Sequence, residues 1–379
     1  MWGNNIKKIV FLVVLSVVFP LKAQKIKGLW VVRHNLTSPA KIDSVFQLSR
    51  QLAMTDLFLQ VRGRGDAYYK SQIEPVHSSL LANNFDPLEY ALQLGQTTGI
   101  RVHAWLNVFY IWSADSLPKD SSHSVFQLQN EIAKPVNGVN ILQHWPDSKN
   151  RLNTEGIYLS PTSGKVQAHL LKIFQELLTN YPLDGIHLDY IRYPGPDYDV
   201  NNEALRNFKK QHVVNPLDFL VNPVKFSQIF TLVGYQNFYR MWRRFLMQNL
   251  TEFVFRFSRE ARKMNPQIII SAAVKPDLVK AHWDYYQNWD RWLELGLIDW
   301  AIPMNYAPDY KLFSNRIESY LQNIPDFRGP VGVALYNQSQ EKIIRKIALV
   351  EALENIGYVL FSYDQLKNQP RVQMFIRKE

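Results

Sequence analysis

The sequence predicts a single (β/α)8 barrel, and three observations carry that prediction. Apolar runs of strand length alternate with helix-period stretches about eight times along the chain, the pattern of β-α-β units on a parallel sheet with right-handed crossovers. Eight such units close into a barrel rather than remaining an open doubly wound sheet. Several of the runs end in polar residues, carboxylates among them, and strand C-termini are where a barrel builds its functional rim. At 379 residues the chain exceeds an ordinary single domain, so the barrel is expected to carry long insertions after strands 3 and 4.

Residues 1–23 read as a secretory signal: Lys7 and Lys8, an apolar run over 9–19, then Pro20 and Leu21-Lys22-Ala23. The run is short for a membrane span, so cleavage after Ala23 is expected, with an uncleaved anchor the alternative. Residues 24–379 are then expected to form the mature barrel, exported to the periplasm or secreted, with no stable membrane insertion. The chain has no Cys, which removes lipoprotein attachment, disulfides, thiolate metal sites and cysteine nucleophiles together. Of its 43 Lys and Arg, three precede residue 24 while none of its 33 acids does, so the formal charge falls from +10 to about +7. That excess is mild and scattered, and nucleic acid is not expected as a partner.

A first strand over 27–33 ends in Arg33-His34-Asn35, and Ser38-Pro39 opens a helix with Ile42, Val45, Phe46, Leu48 and Leu52 at helical spacing. A second strand over 56–62 runs into Gly63-Arg64-Gly65-Asp66, where glycine permits tight backbone and Asp66 can point into a cleft. Asp86-Pro87 caps a helix that stops at Gly99. The third strand, 100–107, places His103, Trp105 and Asn107 on one face. Residues 109–160 show no clear period and read as a loop insertion. Pro161 opens a helix with Val166, Leu170, Ile173, Phe174 and Leu177 on one stripe.

That helix feeds the central strand, in which Ile186 and Leu188 alternate with His187 and Asp189 before Pro194-Gly195-Pro196. An irregular insertion is expected over 195–235, and an amphipathic helix from Phe238 to about Asn265. Further strands follow at 267–274, leading to Lys275-Pro276-Asp277, and at 298–306, 331–336 and 358–364. No Gly-x-Gly-x-x-Gly follows a strand, and neither a Gly-Lys-Ser/Thr loop nor His-Glu-x-x-His occurs. No cofactor and no metal are expected.

The expected rim therefore carries several carboxylates together with Trp, Tyr and Phe, which make up 13% of the chain. Cleaving a glycosidic bond needs that inventory: one carboxylate to stabilise or trap an oxocarbenium-like centre, one acid to protonate the leaving oxygen, and rings to hold the sugar. Asp189 is the first candidate, as nucleophile or base, against the alternative of a structural acid bonded to the neighbouring strand. Asp277 and Asp66 compete for the second carboxylate, with Asp364 behind them. Asp184 reads as a turn at the wrong end of the barrel, and Asp309 as a helix cap.

Five segments in order carry a family resemblance: residues 60–71, with Arg62, Arg64 and Asp66; Phe85-Asp86-Pro87-Leu88; His103-Ala104-Trp105-Leu106-Asn107; residues 184–194; and Trp242-Arg243-Arg244. Together they resemble the glycosyl-hydrolase-like 10 family, formerly a domain of unknown function, over nearly the whole mature chain. The resemblance implies an exported (β/α)8 glycoside hydrolase, with some members acting on cell-wall peptidoglycan glycan. It places the family's strand acid on Asp189 and its loop acid on Asp66. Tyr190 and Phe245 stand where many relatives carry further acids, so the resemblance names no proton donor. The central strand also looks faintly like that of chitinase-type barrels, but His187 and Ile191 replace an Asp and the Glu which that chemistry requires.

The expected substrate-binding residues are Arg62, His103, Trp105, Asn107, His187, Tyr190, Arg192, Tyr193, Asn305 and Tyr306. Trp105, Tyr190, Tyr193 and Tyr306 are the sugar-stacking candidates, with core packing the alternative for Trp105. Arg62 and Arg192 are expected to pair with rim acids and hold them ionised. His103 and His187 are expected to contact substrate or carboxylate rather than metal. The function expected is hydrolysis of a cell-wall or related polysaccharide. The alternative is a glycan-binding barrel of the bacterial envelope without turnover.

Overall fold

The computed structural model describes residues 25–377 apart from 82, 83, 326 and 328; the expected signal, 1–23, lies outside them. Eight parallel strands form one sheet: β1 (Lys27–Val31), β2 (Asp56–Arg62), β3 (Arg101–Asn107), β4 (Gly185–Asp189), β5 (Ile269–Val274), β6 (Trp300–Pro303), β7 (Val331–Ala334) and β8 (Tyr358–Phe361). Their order is β6-β5-β4-β3-β2-β1-β8-β7. The ring closes between its two ends through a parallel bridge from Met304 to Gly332.

Period-two alternation sorts the side chains. On β1, Leu29 and Val31 pack outward with the helices, while Trp30 turns inward to join Phe58, Trp105, Ile302 and Val359 in a cluster inside the barrel. The outer helices include α1 (Pro39–Gln51), α2 (Pro87–Thr98), α3 (Gly164–Asn180), α4 (Pro223–Met264), α5 (Trp289–Glu294), α6 (Tyr310–Asn323) and α7 (Gln340–Ala352). Their ends follow local chemistry: Asp86 accepts from the N–H groups of Leu88 and Glu89 at the start of α2, and Gly99 closes it with φ 70°. Asp309 caps α6 through the Leu312 N–H at 2.7 Å.

Both insertions are more ordered than the sequence predicts. Residues 109–160 contain an antiparallel pair, Tyr110–Trp112 with Ile157–Tyr158, and short helices at Ser124–Gln127 and Asp147–Arg151. The stretch over 195–235 is largely helical, with helices at Asn202–His212 and Pro216–Leu220 before α4, which is broken at Thr231 (φ 65°). The cause is non-local. Phe208 packs on Phe219 and Trp242, and Phe219 on Phe226, with ring centroids 5.3–6.2 Å apart, so burial against α4 decides what the local sequence leaves undecided.

Candidate active site

Asp189 ends β4, in register with Asn107 at the end of β3. Its Oδ1 accepts the N–H of Tyr190 at 2.7 Å and its Oδ2 accepts Nε1–H of Trp105 at 3.1 Å. Only 8% of the residue is exposed, yet it opens into a cavity of about 540 Å³ at the strand C-termini. Burial pushes its carboxyl up to about 6; the Tyr190 N–H, the charge of Arg192 and the Trp105 bond work against that rise, and the negative charge of Glu155 adds to it.

Glu155 lines the same cavity. It sits in the turn before Ile157–Tyr158, and the backbone there is close: a Cβ on Gly156 would collide with the carbonyl of Trp112. Its Oε2 accepts from Arg192 at 2.6 Å and from the Tyr158 hydroxyl at 2.9 Å, while Lys275 stands 3.9 Å from Oε1. Burial alone would raise this carboxyl, but Arg192 and Lys275 outweigh it and hold the group below the usual range. Lys275 is itself lowered to about 8, by burial first and then by the charge of Arg192.

Aromatic rings complete the walls. Tyr190 holds φ 50°, a conformation that a bulky residue keeps only where its surroundings fix it. Here its ring stacks on Tyr110 at 4.4 Å, with the guanidinium of Arg192 4.8 Å from its centroid. Trp30, Trp105, Tyr306, Tyr336 and Phe361 also face the cavity.

Of the expected residues, the fold brings Asp189, Trp105, Asn107, Tyr190, Arg192 and Tyr306 together here. It does not bring the others. Asp277 caps the helix Leu278–Asp284 by accepting the Lys280 N–H at 3.0 Å. Asp66 accepts the Arg64 N–H at 2.9 Å, closing its own loop. Asp364 bonds His34 and Asn35, each at 2.9 Å. Arg62 is fully buried, where it pairs with Glu74 at 2.6 and 2.7 Å and donates to the carbonyl of Asn107. Tyr193 is buried with its hydroxyl on the Leu246 carbonyl at 3.0 Å, and Asn305 bonds the Phe313 carbonyl at 2.9 Å.

The two histidines face the barrel interior below the mouth. His103 contacts the Asp56 carboxylate at 2.8 Å, and a Cβ on Gly185 would collide with its ring. Burial would raise Asp56, but hydrogen bonds from His103 and Arg101 bring it down to about 2. His187 bridges Trp30 at 3.0 Å and Ser271 at 2.9 Å; burial, then the charge of His103, pushes its ring well below the usual value, so it is neutral. Among the described residues no three His, Asp or Glu side chains converge as a metal site.

Glu155 is what the sequence reading missed. It stands in an unpatterned insertion, and its one local signal is the Glu-Gly turn ahead of an aromatic residue.

A parallel barrel whose mouth holds two carboxylates among aromatic rings has the architecture of a glycoside hydrolase. The chain belongs to the Glycosyl hydrolase-like 10 family, whose profile matches residues 25–352. It is 24% identical to the glycosyl hydrolase DigH of Escherichia coli O6:H1 (strain CFT073), over 91% of this chain and 79% of that protein. Its fold is similar to the PgaB (BpsB) glycoside hydrolase domain from Bordetella bronchiseptica, with a TM-score of 0.69 at 13% identity over 93% of this chain and 98% of that one. The β-amylase catalytic domain from Paenibacillus polymyxa shares the fold too, with a TM-score of 0.57 at 14% identity, covering 93% and 97%.

Proposed function

We propose that the chain is exported and hydrolyses O-glycosidic bonds of a cell-wall or related polysaccharide, with Asp189 and Glu155 as the paired carboxylates. One observation carries the reading: two carboxylates open onto one cavity with proton affinities displaced in opposite directions, Asp189 up to about 6 and Glu155 down. Environments that drive two such groups apart assign acid and anion between them. Asp189 gives its proton to the leaving oxygen as the C–O bond breaks, since its pKa lies near the working range of a general acid. Glu155, kept ionised by Arg192 and Lys275, meets the developing positive charge at the sugar carbon, directly or through the water that replaces the leaving group. The stacked Tyr110 and Tyr190 rings offer an apolar platform for a sugar.

The test is release of new reducing ends from purified glycan strands. Asp189→Asn and Glu155→Gln are each expected to lower kcat by about 10²- to 10⁴-fold. Undiminished turnover in either variant overturns the assignment, and binding without turnover in the wild type favours a glycan-binding barrel instead. The anomeric configuration of the first product, read by NMR, tells direct attack from attack through water.

A further inference from the structure

The cavity carries more positive charge than the proposed chemistry uses. Four cations line it: Arg33, Arg64, Arg192 and Lys275. Glu155 engages the last two. Arg33 and Arg64 belong to the β1 and β2 loops, and among the described residues neither guanidinium has a carboxylate within ion-pairing distance. Asp66, two residues beyond Arg64, accepts the backbone N–H of Arg64 and does not line the cavity.

Both arginines are positioned rather than loose. Nη1 of Arg33 donates to Oε1 of Gln60 at 2.9 Å, and the Gln60 amide donates to Asn107 at 3.4 Å. Gly63 makes room for that arrangement, since a Cβ there would come within 2.5 Å of the Arg33 side chain. Arg64 lies 5.9 Å from the centroid of the Trp112 ring. A half-buried cation held by neutral partners keeps its demand for a counter-charge, and a guanidinium suits the planar, two-oxygen geometry of a carboxylate. Tyr110 and Tyr190 line the same cavity as Arg33 and Arg64, so these cations share one pocket with the sugar platform.

We propose that Arg33 and Arg64 form a subsite for a carboxylate borne by the glycan, which makes the substrate an acidic polysaccharide. This rests on the reading of the same cavity as a glycan site. Its test needs no turnover, so it stands or falls apart from the roles of Asp189 and Glu155.

Calorimetry on the full mature chain compares oligosaccharides of hyaluronan, alginate, polygalacturonate and a muramic-acid-containing glycan with the same oligosaccharides after reduction of their carboxylates to alcohols. At least one acidic member is expected to bind about ten- to a hundredfold tighter than its reduced counterpart. The Arg33→Gln/Arg64→Gln protein is expected to lose that preference and the Arg33→Lys/Arg64→Lys protein to keep part of it. Equal binding within every pair overturns the proposal. A preference that survives in the double glutamine variant places the carboxylate elsewhere and overturns it as well.

Discussion

Asparagine at position 189 is expected to lower kcat by about 10²- to 10⁴-fold and, as pH rises from about 4 to 6, to shift the balance of stability toward the variant. Burial lifts the Asp189 carboxyl from an ordinary 3.8 to about 6, so above that pH the folded protein holds a buried charge that the unfolded chain would leave in water. At about 1.4 kcal/mol for each tenfold in proton affinity, the cost is about 3 kcal/mol. Because the folded pKa is the higher one, the favourable contribution is complete below about pH 4 and disappears as pH rises through 6. Asparagine takes no charge and escapes that loss. It does offer one acceptor where Asp189 serves two donors, the Tyr190 N–H and the Trp105 Nε1–H, and that mismatch costs about 1–3 kcal/mol at every pH.

The informative quantity is therefore the change in the stability gap with pH, from which the constant term cancels. Urea unfolding of both proteins, followed by tryptophan fluorescence from pH 4 to 8, is expected to show the gap moving about 2–3 kcal/mol toward the variant, chiefly below about pH 6. A flat gap, or one moving the other way, refutes the account of Asp189 as a carboxyl whose proton affinity burial raises.

Glu155→Gln removes a charge that raises Asp189 and frees Arg192, which lowers it, so the limb of the residual rate profile governed by Asp189 is expected to move below pH 6; a stationary limb denies that the two are coupled. Arg62→Met leaves Glu74 buried without its guanidinium, which is expected to cost about 3–5 kcal/mol in unfolding experiments. Oligosaccharide Kd stays unchanged in that variant, since Arg62 does not line the cavity. Asp277→Asn preserves a helix-capping acceptor, so kcat/KM is expected to stay within about threefold of the wild type; a larger loss returns Asp277 to the site.

The readings that survived rest on short-range rules. Alternation along a strand assigned inward faces to Trp105, Asn107 and Asp189, and the Asp-Pro and Asp-Tyr steps at 86 and 309 marked helix starts. Alternation fixes the face but not the height on the barrel. His103 and His187 share their faces with Asn107 and Asp189, but they sit lower in the barrel and bond Asp56, Trp30 and Ser271 instead of a substrate. Arg62 was expected to hold an acid ionised, and it does so with Glu74, sealed inside rather than at the rim.

The order of apolar runs, through the 2.0 and 3.6 periods that pack a sheet against helices, determined the barrel and put Asp189 at the end of a central strand. Tertiary structure alone decided which other carboxylate lines its cavity. Glu155 lies 34 positions upstream in a segment without periodicity, and it reaches the mouth because a short antiparallel pair and the guanidinium of Arg192 carry it there. Contacts of that span leave no local pattern for a sequence to display.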